Sequence, residues 1–477
     1  MPRRLRAAAG VGAPKQVALS ILAEACSILA MSMVEDAIRE GGLGDSRRSD
    51  RAMRIVAGIV RGQASDTNAA TPTGQGTPWA HAMGGYRFFN NEDVSLVQIY
   101  APTRAALASL VSANQRLLVV HDFSVVDYSK HTEKKDRIQV GNESGLGYDL
   151  YTALVLDAKG RPLGPVAVEL HTAKGRLSSE HDKPVAFVDH LSQAEDGVAA
   201  AMRQLPGCEL VHVADREFDD VLFQRRLAAQ GQLYVIRALN LGRSVLCAGT
   251  RRSLRKVANE LAKTKIGTVE HDGKTFEQWV GEQTVTFDRP SLRGRKRGAR
   301  PTKGDPLEVR VIVTELRGVG TTDHYEWVLL TSLNDPIAEV VAIYRARWRI
   351  ERLFYFTKVG LRLEHWRQQS GEGTARRLAI TMLAAMAIYQ LKTSADQDTL
   401  KSVATMGGWL GRKRDALGPV VLMRGMLVLL ATLDALAEHG VDELLRLAEA
   451  AGFGFAVPPS LRAGPEAAVR PTRRRNV

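Results

Sequence analysis

The sequence predicts an α/β fold built on a mixed sheet, and three observations predict it. Short apolar, β-rich runs alternate with segments of helical length between about residues 117 and 238. A second group of strand-like runs follows without that alternation, and from Pro336 onward the chain reads as mostly helical. With 45% hydrophobic and 25% charged residues, 477 residues suffice for a sizeable core, which excludes a disordered chain.

Taken in order, residues 1–41 are an N-terminal extension. It begins MPRRLRAAAG and runs apolar from Val17 to Met33, but Glu24 interrupts the run and no small-residue cleavage site follows. Met31 and Met33 are alternative starts. Residues 42–110 form a second region, in which Gly44–Arg61 is a helix capped by Asp45. Met53, Val56, Ala57 and Val60 fall on one side of it and Arg47, Arg51, Arg54 and Arg61 on the other. Ala64–Pro78 is a polar loop, after which WAHAMGGYRFFNN resumes compact structure. Residues 111–240 carry the strands LLVVHDF, YTALVLD, PVAVELH, ELVHVAD and QLYVIRA, with helices at Gln193–Gln204 and Asp219–Gln230. Residues 241–325 are a β-rich insertion containing the basic loop RGRKRGARPTKG. Residues 326–395 return to the core, and 396–477 are a helical region and a candidate dimerisation surface. The apolar stretches Leu378–Tyr389 and Val420–Leu433 fall short of the roughly 20 residues that span a bilayer, so they read as buried helices and not as a membrane anchor.

Sixty-five Lys and Arg against 52 Asp and Glu leave a net charge of +13, which favours a polyanionic partner, nucleic acid before an anionic membrane surface. Cys26, Cys208 and Cys247 contain no CxxC pair. A disulfide framework and a cysteine zinc site are therefore disfavoured, and a reducing cytoplasm fits. The histidines are scattered without an HExxH motif, which disfavours a zinc enzyme.

The chemistry lies in the acidic residues. Asp122 follows LLVVH and Asp215 follows ELVHVA, placing a carboxylate at the end of each of two apolar strands. There it can hold a hard cation such as Mg²⁺, or simply cap a turn. The run IYRARWRIERLFYFTKVG carries Tyr344, Arg347, Glu351 and Lys358. On a continuous helix these four fall within a sector of about 60°, so one stripe presents a carboxylate between two cations and a phenol. Arg347 and Glu351 are also an i,i+4 pair, which leaves a solvated face as the alternative.

Together, Asp122, DREFD at 215–219 and the Y-(2)-R-(3)-E-(6)-K pattern resemble the DDE transposases of the IS-four type, the group that includes the Tn-five transposase. GLGDSRRSDR, GGYRFFNN, YVIRA and WVLLTS resemble further stretches of that family, in order, from about residue 42 to 395. The resemblance implies an RNase H-like core interrupted by a β-rich insertion, with an N-terminal helical DNA-binding region and a C-terminal helical region. It implies that Asp122, Asp215 and Glu351 bind two Mg²⁺ ions, with Mn²⁺ able to substitute, and catalyse cut-and-paste transposition. Water nicks the transposon end, the 3′-OH forms a hairpin that water reopens, and the 3′-OH then attacks target DNA. Asp127, in DFSVVDY, competes for the role of Asp122.

By the same resemblance Tyr344, Arg347 and Lys358 grip phosphates around the scissile position, Arg237 contacts DNA, and Trp327, read as opening a strand, stacks on a flipped base. The run Arg293, Arg295, Lys296, Arg297, Arg300 and Lys303, and the helix bearing Arg47, Arg51 and Arg54, are expected to contact duplex phosphates. The expected partners are double-stranded DNA, as transposon ends and target, and a second copy of the chain in a homodimeric paired-end complex. The expected setting is the bacterial cytoplasm, at the nucleoid when DNA is bound. An RNase H-like endonuclease that cuts without joining, and a transposase-derived DNA-binding protein without catalysis, remain as alternatives.

Overall fold

At the centre of the protein, two parallel strand pairs carry the first two candidate carboxylates, and nearly everything else is arranged to cover or extend them. The structure, a computed structural model, describes residues 32–60, 79–141, 144–271, 274–289, 304–410 and 417–450. The basic run with Arg295, Lys296 and Arg297 lies outside the described residues, as do Arg61, most of the N-terminal extension and the C-terminal tail.

A helix over 32–41 (α1) leads into α2 (Ser46–Val60), α3 (Trp79–Phe89) and α4 (Leu96–Leu110). Asp45 does cap α2, accepting a 2.7 Å hydrogen bond from the Arg47 amide. The buried face of α2 is rotated from the expected one: Ala52, Ile55, Val56, Ile59 and Val60 are buried, while Met53 and Ala57 are only half-buried. The physical reason is that α2 packs against more than one neighbour, chiefly α3 and the later helix α10, so its apolar face must be wider than a single stripe.

The sheet begins with β1 (Arg116–Asp127), β2 (Ile138–Gln139), β3 (Leu146–Asp157), β4 (Pro162–Thr172) and β5 (Gly175–Ser178). Then come α5 (His190–Gln204), β6 (Glu209–Ala214), α6 (Val221–Ala229) and β7 (Leu233–Arg237). The second segment holds β8 (Ser244–Cys247), β9 (Thr250–Ser253), α7 (Leu254–Glu260), β10 (Thr264–His271), β11 (Lys274–Phe287), β12 (Leu307–Gly318) and β13 (His324–Thr331). The closing helices are α8 (Ile337–Ala346), α9 (Trp348–Tyr355), α10 (Gly371–Ser394), α11 (Gln397–Met406) and α12 (Pro419–Ala450).

Among the described residues the strands form one sheet in the order β5-β4-β3-β1-β6-β7-β13-β12-β11-β8-β9. The β1–β6 and β6–β7 pairs are parallel, while β3 and β4 on one side and β13 and β12 on the other are antiparallel. The mixed sheet expected from the sequence is therefore present. The segment read as an insertion does not stand apart. Its long strands β11 and β12 continue the same sheet through β13, while Val245, Leu254, Val285, Val309 and Val313 give it a core of its own.

α10 is buried along nearly its whole length against β4, α2 and α4. That is what a helix apolar on every side must do. Among the described residues no helix is long and apolar enough to cross a membrane.

One expectation needs correcting. Asp122 does not end its strand, because β1 runs on to Asp127 through an uninterrupted antiparallel ladder with β3. The signal for a strand end was the loss of apolar residues at DFS, but pairing with β3 holds that segment extended. What does end at Asp122 is the parallel ladder with β6, whose last pair is His121 with Ala214.

Candidate active site

That ladder sets the site. With His121 opposite Ala214, Asp122 and Asp215 are the next residues on two adjacent parallel strands. Their strands then part, β1 continuing with β3 while the chain after β6 turns into a short 3₁₀ helix capped by Asp215. The Asp215 carboxylate accepts the Glu217 amide at 2.8 Å. In an α/β sheet the carboxyl ends of parallel strands are where such a site is expected. Asp127 lies five residues further along a regular strand, so its side chain projects from the opposite face about 16 Å away. It is occupied there by Ser129, whose amide and hydroxyl both donate to it. The structure thus separates the two competing aspartates.

Glu351 arrives from α9. Arg347 joins it to the strands, with Nη1 2.8 Å from Asp122 Oδ2 and Nη2 3.2 Å from Glu351 Oε1. Burial pushes the Asp122 carboxyl up to about 7. Arg347 opposes that rise, and the nearby charges of Glu351 and Asp215 add to it. Tyr344 is buried, which raises its hydroxyl pKa against the pull of Arg347 and Arg237, with Asp215 adding to the rise. These mutual influences place Asp122, Asp215, Glu351, Arg347, Tyr344 and Arg237 in one neighbourhood.

The expected single stripe is corrected in one respect. The helix is not continuous. α8 ends at Ala346, the Arg347 amide bonds three residues back to the Tyr344 carbonyl, and α9 gives way to a π-helical turn at Phe356–Gly360. A tight turn overwinds and a π turn underwinds the backbone, so a uniform 100° step does not carry through to Lys358. Tyr344, Arg347 and Glu351 still meet, but Lys358 pairs with Glu364 at 3.5 Å. Glu364 in turn accepts the Asp127 amide at 3.2 Å, tying the arm to the end of β1.

Trp327 is the fourth residue of β13, not its first, because pairing with β12 already begins at His324. It is half-buried and meets the Tyr344 ring edge-on at 5.7 Å between centroids. Arg237 ends β7, and Asp219 of DREFD fixes the segment beyond it. The Asp219 carboxylate accepts the amides of Leu239 at 2.7 Å and Asn240 at 2.9 Å and pairs with Arg243 at 2.8 Å. Arg47 and Arg54 are exposed on α2. Arg51 is not a free cation on that face, since its guanidinium lies over Gly84 of α3, where a Cβ would come within 2.4 Å of it.

Sequence reasoning missed a cleft of about 840 Å³ beside Glu351. Trp327, Trp348, Arg349, Arg352, Tyr355 and Lys159 are among its lining residues. Trp348 and Tyr355 are about half exposed. The signal was there: Trp348, Arg352 and Tyr355 recur at helical spacing on the face next to Glu351. The turn after β3 closes one wall. Gly160 there has a φ of +73° and lies so close to α8 that a Cβ would be 3.1 Å from the Ala346 methyl. Its carbonyl accepts from Arg349 at 3.2 Å.

Among the described residues no three His, Cys, Asp or Glu side chains stand close enough to hold an ion as they are. The chemistry of the donors nevertheless fits a hard divalent cation. All three candidates are carboxylates, the oxygen donors a hard cation takes, and Glu351 and Asp215 only add to the rise that burial causes in the Asp122 carboxyl.

Residues 184–387 match the family model described as a transposase DDE domain. The matched stretch includes Asp215 and Glu351 and begins after Asp122. The match supports a DDE transposase, a class of enzymes that act with divalent metal ions. Among solved structures the chain is similar to a piggyBac transposase synaptic complex with hairpin DNA, studied by cryo-EM. Identity is 10%, 91% of this chain and 86% of that chain are covered, and the TM-score is 0.36. A likeness of that size carries no argument about this chain.

Proposed function

We propose that this protein is a cut-and-paste DNA transposase of the IS-four type, with Asp122, Asp215 and Glu351 as its catalytic carboxylates. The observation that carries the reading is Arg347, which draws Asp122 and Glu351 together beside Asp215. A sheet with parallel pairs at its centre, and with β8–β12 inserted between Asp215 and Glu351, fits an RNase H-like core with a β-rich insertion. Two Mg²⁺ ions, for which Mn²⁺ can substitute, would activate an attacking oxygen and stabilise a leaving one when held by the three carboxylates.

The chain's own groups do the rest. Asp122 and Glu351 become free to act as ligands when Arg347 turns from them to a phosphate, a contact of the same charge-assisted kind. Tyr344 and Arg237 stand beside it, and Lys358 reaches a phosphate by exchanging Glu364. Each step is a phosphoryl transfer with a different nucleophile: water for the nick, the 3′-OH for the hairpin, water again for reopening, and the 3′-OH for attack on target DNA. Duplex DNA and a second copy of the chain in a homodimeric paired-end complex are the partners of this reading. Arg47, Arg54 and the run Arg295, Lys296 and Arg297 hold the duplex. The bacterial cytoplasm, at the nucleoid, is its setting.

A time course on duplex bearing the inverted repeats that flank the gene tests this sequence of products. Nick, hairpin, double-strand break and joined product should appear in that order and only with Mg²⁺ or Mn²⁺. Cleavage without any joined product would instead favour an endonuclease. Trp327→Ala should accumulate the nicked species, because stacking a flipped base on an aromatic face contributes roughly 1–3 kcal/mol to the hairpin step. Equal loss of nick and hairpin would assign Trp327 to packing against Tyr344 alone.

A further inference from the structure

Two buried histidines lie beneath the carboxylate pair, and none of the phosphoryl-transfer steps uses either. His121 precedes Asp122 on β1, and His212 stands three residues before Asp215 on β6. Both are essentially inaccessible, yet all four ring nitrogens are engaged in one chain. Tyr151 Oη of β3 is 2.7 Å from His121 Nδ1, and His121 Nε2 is 2.9 Å from His212 Nδ1. His212 Nε2 is 3.2 Å from Gln232 Oε1 in the turn before β7.

The chain runs in one sense only. The other amide atom of Gln232, Nε2, donates to the Gln230 carbonyl at 3.2 Å, so the oxygen faces His212 and can only accept. His212 Nε2 must therefore donate, which leaves Nδ1 of a neutral ring as an acceptor. His121 Nε2 donates to it, His121 Nδ1 accepts, and the Tyr151 hydroxyl donates. Every member is satisfied with both rings neutral. The Tyr151 hydroxyl is seated against Gly197 of α5, where a Cβ would lie 2.0 Å from the oxygen.

We infer that His121 and His212 are positioning residues for the carboxylate pair, their one-way hydrogen-bond chain keying β3, β1, β6 and the turn before β7 at the level where Asp122 and Asp215 leave the ladder. The inference rests on the proposed role of those carboxylates as ion ligands. Apolar side chains could fill the same volume, but backbone pairing alone repeats along a strand. A two-residue slip would preserve every in–out preference while moving Asp122 about 7 Å relative to Asp215. A fully satisfied buried polar chain is met in one register only and so specifies it.

The test is a calorimetric titration of the full-length protein with Mn²⁺, comparing wild type, His212→Phe, His212→Gln and Asp122→Ala. Phe fills the space but neither accepts nor donates, whereas the Gln amide can accept from His121 and donate to Gln232. His212→Phe should weaken Mn²⁺ binding about tenfold, as loss of a residue that orients a ligand does, and His212→Gln should stay within about threefold of wild type. His212→Phe binding Mn²⁺ as tightly as wild type would overturn the positioning role and leave the ion site standing. Wild type binding no Mn²⁺, or Asp122→Ala binding it equally well, would overturn the ion site and the positioning role with it. Should His212→Phe fail to fold, the imidazole nitrogen resonances of wild type decide. Protonated Nε2 on both rings is expected, and protonated Nδ1 on either contradicts the chain.

Discussion

Asp122 and Asp215 stand on adjacent parallel strands over a buried layer, whereas Glu351 stands on an arm whose helical ladder is interrupted twice. The Asp122 side chain is 11% exposed and the Glu351 side chain 40%. On the strands, backbone pairing and the His121–His212 chain fix where the carboxylates sit. On the arm, the break at Arg347 and the π turn after Tyr355 remove that backbone authority. A side-chain bridge, Arg347 to Asp122, brings the third carboxylate in. The floor of the site is set by main chain and the arm by a bridge that can be exchanged.

Breaking the bridge should give the largest effect on the fold itself. Arg347→Met leaves Asp122 buried without its cation. Removing one partner of a buried pair costs about 3–5 kcal/mol, and uptake of a proton by Asp122 keeps the loss towards or below the lower figure. Denaturant unfolding should show this loss, and end cleavage should fall with it. An arm held by its backbone would instead lose activity with unchanged stability.

The segment of β10–β12 offers the contrast of an ion pair unrelated to chemistry. Burial pushes Glu315 up, but Lys263, at 2.5 Å, and Arg317, at 2.7 Å, overcome it and hold the carboxyl at about 2. A depressed carboxyl pKa contributes stability above the unfolded value, near 4.5, and loses that contribution as pH falls towards 2. Glu315→Gln should therefore cost about 1–3 kcal/mol at neutral pH, with the difference from wild type closing between about pH 4.5 and 2. Cleavage by the folded variant should be unaltered. A difference independent of pH would mean that packing, and not charge, sets the effect.

The smallest effects belong to α2. Arg47→Ala and Arg54→Ala should each flatten the dependence of log K for duplex on log salt by about 0.9 for every phosphate no longer neutralised, with stability unchanged. Arg51→Ala should do the reverse, lowering stability and leaving the slope alone, because its guanidinium packs over Gly84. Slopes unchanged from wild type for Arg47→Ala and Arg54→Ala would remove this face from the duplex interface.

Much of the fold is legible in the sequence because it is local. Apolar strands, the α2 cap and the long β11 and β12 runs follow from residue pattern alone. The Tyr344–Arg347–Glu351 spacing survives because it lies within two turns of helix. Asp122 is misplaced relative to its strand end because β3, an antiparallel partner far along the chain, extends β1 past the last apolar run. The pairing of Lys358 with Glu364 is not legible because periodicity assumes an unbroken ladder, and the backbone bonds at Arg347 and the π turn are invisible in composition. The His121–His212 chain joins residues 91 positions apart. No single-strand pattern announces it: alternation along β1 and β6 reads each histidine as ordinary filling.

The most direct measurement is cleavage of an end-bearing duplex by Asp122→Ala, Asp215→Ala, Glu351→Ala and Asp127→Ala in Mg²⁺, with end binding measured in parallel. The first three should bind DNA but leave it intact, although one of them comes from the exchangeable arm and two from the fixed floor, while Asp127→Ala should cut like wild type. Mg²⁺-dependent nicking by Glu351→Ala, or loss of nicking by Asp127→Ala alone, would contradict a site built from Asp122, Asp215 and Glu351.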